Sequence, residues 1–203
     1  MKRVKFMLGI TIVVLSVLAL VSFSLAMEAW EDMTGEIKEL DLEAVAVDPT
    51  DSDIVFVSAS NRLYKSVDGG ENWEDVFTVY GNGKVNFITV DKRSPKTVYI
   101  ATSNGLFRTM NKGDGWRRVF KGIGDKEKKA KSFAIHPFDS DVIYAGAEKG
   151  LFISKDSGKS WDKFSSGIGN VAVDFIIADP NRPGTLYIAT TKGVFKINSI
   201  TEH

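Results

Sequence analysis

The sequence predicts an all-β protein, a β-propeller of four-stranded antiparallel blades. Three observations carry that expectation. One eight-residue pattern occurs three times, its closing tryptophans 43 and 45 residues apart. Short strand-like runs keep step with it, at the length of a propeller blade. No segment beyond the first 26 residues shows a helical period.

The pattern is Ser66-Val67-Asp68-Gly69-Gly70-Glu71-Asn72-Trp73, then Thr109-Met110-Asn111-Lys112-Gly113-Asp114-Gly115-Trp116, then Ser154-Lys155-Asp156-Ser157-Gly158-Lys159-Ser160-Trp161. Each has a hydroxyl residue, Asp or Asn two later, Gly two after that, and Trp three further on. Before each lies an apolar run: Ile54–Val57, Thr97–Ile100 and Val142–Ala145, with a fourth at Leu186–Ala189. A shorter run follows at Leu63–Lys65, Leu106–Arg108, Leu151–Ile153 and Val194–Lys196. Asn104-Gly105, Lys149-Gly150 and Lys192-Gly193 separate the two and tolerate the positive φ of a tight hairpin. Upstream, a further run ends at Asp48, Asp91, His136 or Asp179. All five prolines fall in the turn that follows it. Proline cannot donate to a central ladder, so this confinement is what a sheet requires.

Composition narrows the chemistry. The 203 residues include 26 basic and 26 acidic side chains and no cysteine. Thiolate metal sites, iron–sulfur clusters, disulfides and cysteine nucleophiles are thereby excluded. A balanced charge gives no electrostatic reason for a nucleic-acid partner.

Lys2, Arg3 and Lys5 precede an uncharged run from Phe6 to Met27, with Ser24 and Ala26 at the −3 and −1 positions of a cleavage site. Residues 1–26 therefore read as a secretory signal peptide, and 27–203 as the propeller. A retained membrane anchor is the alternative, since the run is long enough to span a bilayer. Cleavage of 26 residues, three of them basic, leaves 177 residues of formal charge −3. The expected location is secreted or periplasmic, with membrane contact only through a retained leader.

The three hydroxyl-x-Asp/Asn-x-Gly-x-x-Trp segments resemble Asp-box repeats, also known as bacterial neuraminidase repeats. The Val47-to-Asp53 opening is similar to repeats of photosystem II stability/assembly factors, of xyloglucan-hydrolysing propellers and of sortilin-type receptors. The resemblance spans the chain after the leader. It implies the fold strongly and the function weakly, because the same turn occurs in enzymes and non-enzymes.

The fourth unit ends without its fourth strand. Trp30-Glu31-Asp32-Met33 matches Trp73-Glu74-Asp75-Val76 one repeat later, so the N-terminal strand is expected to close the last of four blades. Closure removes exposed sheet edges. This favours a monomer; the alternative is a half-ring that two chains complete.

In the repeated turn, Asp68, Asn111 and Asp156 are expected to accept backbone N–H groups. Gly70, Gly113 and Gly158 allow the tight backbone, Ser66, Thr109 and Ser154 open it, and Trp73, Trp116 and Trp161 wedge against neighbouring sheets. This reading is structural. In the families resembled, the turn lies opposite the binding face.

Several chemical readings fail. Gly158-Lys159-Ser160 imitates a phosphate loop, but Ile153 stands where its first glycine belongs. Gly167–Ala172 fits a dinucleotide pattern yet leads into a strand. The two histidines, His136 and His203, support neither a Ser-His-Asp triad nor a histidine metal site. Sialidase activity needs converging arginines, and Arg62, Arg93, Arg108, Arg117, Arg118 and Arg182 fall on outer strands or on the repeated-turn side. No catalytic residue, metal or cofactor is assigned.

The candidate binding residues lie where the innermost strands begin: Glu43, Asn86, Lys131 and Asp174. In a closed ring of four, Glu43 and Asp174 stand on adjacent blades, as an acid and base for glycoside cleavage would. Lys126, Lys128 and Lys129 add a positive patch on the same face. The function expected is non-catalytic binding of a protein, or a glycan, at the channel face; the assembly-factor resemblance implies a scaffold or assembly role without a cofactor. A glycoside hydrolase is the alternative.

Overall fold

The computed structural model describes residues 31–38, 41–81, 83–121, 130–164 and 167–198. The chain forms two compact units, Met1–Met33 and Thr34–His203. All fifteen described strands lie in the second. They form a β-propeller array of four antiparallel sheets, each built from strands consecutive in sequence.

The first sheet is β1 (Leu42–Asp48), β2 (Asp51–Ala59), β3 (Arg62–Ser66) and β4 (Glu74–Thr78). The second is β5 (Val85–Val90), β6 (Val98–Thr102), β7 (Gly105–Thr109) and β8 (Arg117–Phe120). The third is β9 (Ala130–His136), β10 (Asp139–Ala147), β11 (Gly150–Ser154) and β12 (Asp162–Phe164). The fourth holds β13 (Val173–Ala178), β14 (Leu186–Thr190) and β15 (Gly193–Ile197).

The hydrophobic core is divided into three layers, one between each pair of successive blades. Ile54, Phe56 and Leu63 of the first blade pack against Ile88, Val98 and Ile100 of the second. Tyr99, Leu106 and Phe120 of the second meet Phe133, Ile143 and Phe152 of the third. Tyr144, Leu151 and Ile153 of the third meet Ile176, Leu186 and Ile188 of the fourth. Strand periodicity explains the arrangement: successive residues point to opposite faces, so Val98 and Ile100 face one neighbour while Tyr99 faces the other. A blade in mid-array must be apolar on both faces, and β6 is buried along its whole length. Each large side chain so buried contributes about 1.5–3 kcal/mol. The Tyr99 and Phe133 rings stack across the middle joint with centroids 4.7 Å apart.

One expectation needs correction. The glycines of the hairpins lie outside the two-residue turn. Thr102 pairs with Gly105 across Ser103-Asn104, and Gly105 is the first residue of β7, at φ +120°. A Cβ there would stand 2.1 Å from the Phe120 carbonyl oxygen, so the position needs glycine for contact with β8 as well as for its φ.

Among the described residues β15 pairs only with β14, and Val194 and Phe195 on it are exposed. The inner strands pack in the order β1, β5, β9, β13, and β1 and β13 do not pack together as these neighbours do. The N-terminal strand expected to close the last blade begins at Trp30, which lies outside the described residues; Glu31, Asp32 and Met33 form no strand.

Candidate functional site

The repeated turn between the third and fourth strands of a blade is built the same way three times. The hydroxyl of Ser66, Thr109 or Ser154 is buried at the end of its strand. It accepts the N–H of Gly70 (2.8 Å), Gly113 (3.2 Å) or Gly158 (2.8 Å). Each hydroxyl also donates to the carboxylate or amide oxygen two residues on, at 2.7 Å to Asp68, 2.6 Å to Asn111 and 2.8 Å to Asp156. Gly69, Lys112 and Ser157 have positive φ, and their N–H groups reach back to the carbonyls of Asp53, Lys96 and Asp141 at 2.9 Å each. The turn is thereby pinned to the start of its own blade's second strand.

The acidic residues are held by local donors. Asp68 takes the Asn72 side-chain amide (2.7 Å) and the Asn72 N–H (2.9 Å). The Asn72 amide first, then Ser66 and the Asn72 N–H, hold the Asp68 carboxyl down at about 2. Asp156 is likewise at about 2, through the Ser160 hydroxyl and N–H and then Ser154. In the second turn the Gly115 N–H goes instead to the Gly113 carbonyl, at 3.0 Å.

The tryptophans join blades. Trp116 donates its indole N–H to the Val76 carbonyl (3.0 Å), and Trp161 to the Val119 carbonyl (2.8 Å), each acceptor on the outer strand of the preceding blade. A Cβ on Gly158 would lie 2.8 Å from the Val119 Cβ, so the turn itself abuts that strand.

At the opposite end, Glu43, Asn86, Lys131 and Asp174 lie at or near the starts of β1, β5, β9 and β13. They bind across the blade joints. Lys131 Nζ stands 2.6 Å from Asp174 Oδ1, joining the third blade to the fourth. Asn86 donates to the Ala130 carbonyl at 3.2 Å, joining the second to the third. Glu43 pairs with Lys84, which also holds Asp41 at 2.7 Å, joining the first to the second. Hydrogen bonds to Asp41 and then Glu43 raise Lys84 well above the usual lysine range, so it stays charged. Lys84 is a site residue beyond those the sequence singles out. Its signal was a basic residue one repeat beyond Asp41. Glu43 and Asp174, on the first and fourth blades, are not brought together. Lys126, Lys128 and Lys129 lie outside the described residues.

The geometry at the starts of the innermost strands has a counterpart where those strands finish. Asp91 and Asp179 accept the N–H two residues on, from Arg93 (2.9 Å) and Asn181 (3.0 Å), and His136 Nδ1 accepts that of Phe138 (3.3 Å). This shared acceptor role explains how histidine stands in an aspartate column. Asp48, in the same column, is buried, which opposes its charged form. Hydrogen bonds from Lys112 and Thr50 outweigh that cost and hold its carboxyl below the usual range. A concavity of about 310 Å³ opens among these turns, lined by Asp91, Lys92, Arg93, His136, Pro137 and Pro180. In sequence alone Arg93 and His136 belong to separate repeats and suggest no pocket. Only the packing of three successive turns makes one.

No family model and no curated protein matches the chain. Solved structures do. The GH74 xyloglucanase from Xanthomonas campestris superposes with a TM-score of 0.63 at 18% identity, over 82% of this chain and 31% of that one. The extracellular domain of BT4673 from B. thetaiotaomicron gives 0.60 at 17% identity, over 79% and 22%. YCF48 bound to D1 peptide gives 0.57 at 14% identity, over 79% and 51%. The chain thus spans less than a third of the GH74 xyloglucanase and about half of YCF48. At these identities the likeness is one of fold: the chain has the blade architecture of these propellers.

Proposed function

We propose that the chain is a non-catalytic propeller scaffold, exported from the cytoplasm, that binds a protein partner at the channel end where its innermost strands begin. The observation that carries this reading is the pairing of Glu43 with Lys84 and of Asp174 with Lys131. A glycoside hydrolase needs two carboxylates facing each other across the scissile bond, about 5–9.5 Å apart. Here each candidate carboxylate is held by its own lysine and serves a blade joint. What remains is a rim of fixed polar groups on a rigid sheet array, which suits recognition better than acid–base chemistry. The leader supports export, and the extracellular domain among the structural neighbours is in keeping with it. The YCF48 structure with its bound peptide supports, by analogy of fold, a protein as the partner.

The test is reducing-end release from a panel of plant and bacterial polysaccharides by the purified chain. No release is expected. Hydrolysis that disappears in Glu43→Gln or Asp174→Asn would overturn the scaffold reading and make this end an active site. In parallel, exported proteins cross-linked to the chain are to be purified and titrated back. Saturable binding that weakens on substitution of Asn86 or Lys131 is the expected result.

A further inference from the structure

The two ends of the blade array carry the two halves of a blade joint, each without its counterpart among the described residues. On the innermost strands, Val45, Ile88, Phe133 and Ile176 occupy one column, two residues beyond Glu43, Asn86, Lys131 and Asp174. This column faces the preceding blade. Ile88, Phe133 and Ile176 are 5%, 2% and 3% exposed, whereas Val45, which has no preceding blade among the described residues, is 67% exposed. Val47 on the same face is also exposed, and it is equivalent to buried Val90.

The other face shows the converse. Ala46, Thr89, Ala134 and Ile177 point toward the following blade. The first three are covered or partly covered, and Ile177 is 65% exposed. On the second strands, Phe56, Tyr99 and Tyr144 are buried against the next blade, while the equivalent Tyr187 is exposed. On the third strands, Leu63, Leu106 and Leu151 are fully buried, while the equivalent Val194 is exposed. Phe175, Ile177, Tyr187 and Val194 therefore form one apolar sheet face that the other three blades bury. An apolar face of this kind marks an interaction surface.

The occupant is identified by the joints the chain already makes. Three times within the chain, a face of the Ile177/Tyr187/Val194 type closes on a face of the Val45/Val47 type. The sole described faces left over are one of each type, so one chain presents what another needs. A polar contact fits as well. Arg108 reaches from the third strand of its blade to the Ser157 carbonyl in the next blade's repeated turn, at 2.8 Å. Lys196 holds the equivalent position on the fourth blade, and Gly69, beside Asp68, holds the position of Ser157 in the first.

We infer that a second copy of this chain docks head to tail, its β1–β2 face on the β13–β15 face, and that two such joints close an eight-bladed ring. A head-to-tail joint that returns to its start after two copies gives a closed dimer rather than a filament. Eight blades lie within the range propellers adopt. The inference is independent of the scaffold proposal, since a ring of this kind could be catalytic or not.

Because the chain has no cysteine, the joint can be read by disulfide formation. Full-length Val45→Cys and Ile177→Cys chains are oxidised separately, mixed, and combined as one double variant. The expected result is a cross-linked pair in the mixture and little in either single variant, since the two positions meet only between unlike ends. Light scattering of the unmodified full chain should give twice the chain mass. Ile177→Asp with Val194→Asp should halve that mass while leaving the far-ultraviolet β spectrum unchanged. An intrachain bond in a double variant of single-chain mass would overturn the inference in favour of a ring closed by one chain. Single-chain mass with no cross-link in the mixture would overturn it outright.

Discussion

Trp161 donates its indole N–H to the main-chain carbonyl of Val119, 42 residues earlier and one blade back, at 2.8 Å. The same bond joins Trp116 to Val76. The closing residue of the repeat is thus an instrument of the blade joint: its ring fills the space beside Phe120, and its nitrogen caps the edge of the preceding sheet. Trp161→Phe keeps a ring and removes the donor, leaving the Val119 carbonyl without this partner. The expected cost is about 1–2 kcal/mol, read from the urea midpoint. A cost indistinguishable from zero would mean that the ring alone makes the joint.

Gly158 and Gly115 separate backbone strain from packing. Both have positive φ, +85° and +91°. A Cβ on Gly115 meets nothing within 4 Å, whereas one on Gly158 meets the Val119 Cβ at 2.8 Å. Gly115→Ala should cost about 1–2 kcal/mol from the left-handed backbone alone. Gly158→Ala should cost distinctly more, because the outer strand of the preceding blade must move aside as well. Equal losses in thermal melts would remove packing from the explanation.

Stability should fall in acid through the repeated turns. Asp68 and Asp156 titrate at about 2 in the folded chain, below the ordinary 3.8. A lowered folded value means that the unfolded chain binds protons first as the pH drops. Their contribution is therefore full above pH 3.8 and is lost as the pH falls through 3.8 toward 2. Asn111 shows that an amide is accommodated in this turn, so Asp68→Asn and Asp156→Asn should fold. The double variant should melt at a lower temperature than the parent at pH 6 and show a shallower loss between pH 4 and 2.

The Lys131–Asp174 pair should matter little for stability. Both side chains are about a third exposed, and ion pairs in that setting contribute about 0–1 kcal/mol, less in salt. Asp174→Asn should shift the urea midpoint by no more than that, and the shift should shrink in 0.5 M NaCl. A large, salt-insensitive loss would mark Asp174 as part of a tighter site than its distances imply.

Hydroxyl loss should cost more than charge loss. The Ser154 hydroxyl is buried and accepts the Gly158 N–H. Ser154→Ala leaves that buried N–H without its partner, at a cost of about 1–3 kcal/mol. Ser154→Thr should recover most of it, because Thr109 fills the same role in the second blade.

Much of this protein is legible in its sequence. The recurrence of Trp73, Trp116 and Trp161 with their hydroxyl, acidic and glycine partners fixes blade length, strand order and the repeated turn, because each of these is a local property of about 43 residues. Even the burial of β6 on both faces follows from its unbroken Val98-Tyr99-Ile100-Ala101 run. What tertiary structure alone decided is everything that depends on which blade is next to which. Val45 and Ile88 are alike in sequence and opposite in exposure, because among the described residues a preceding blade covers Ile88 and none covers Val45. Glu43 and Asp174 read as a pair in a closed ring, yet each pairs with a lysine on the blade it actually adjoins. Local chemistry repeats along the chain, but which faces meet at a joint, and which stay uncovered among the described residues, are properties of the array.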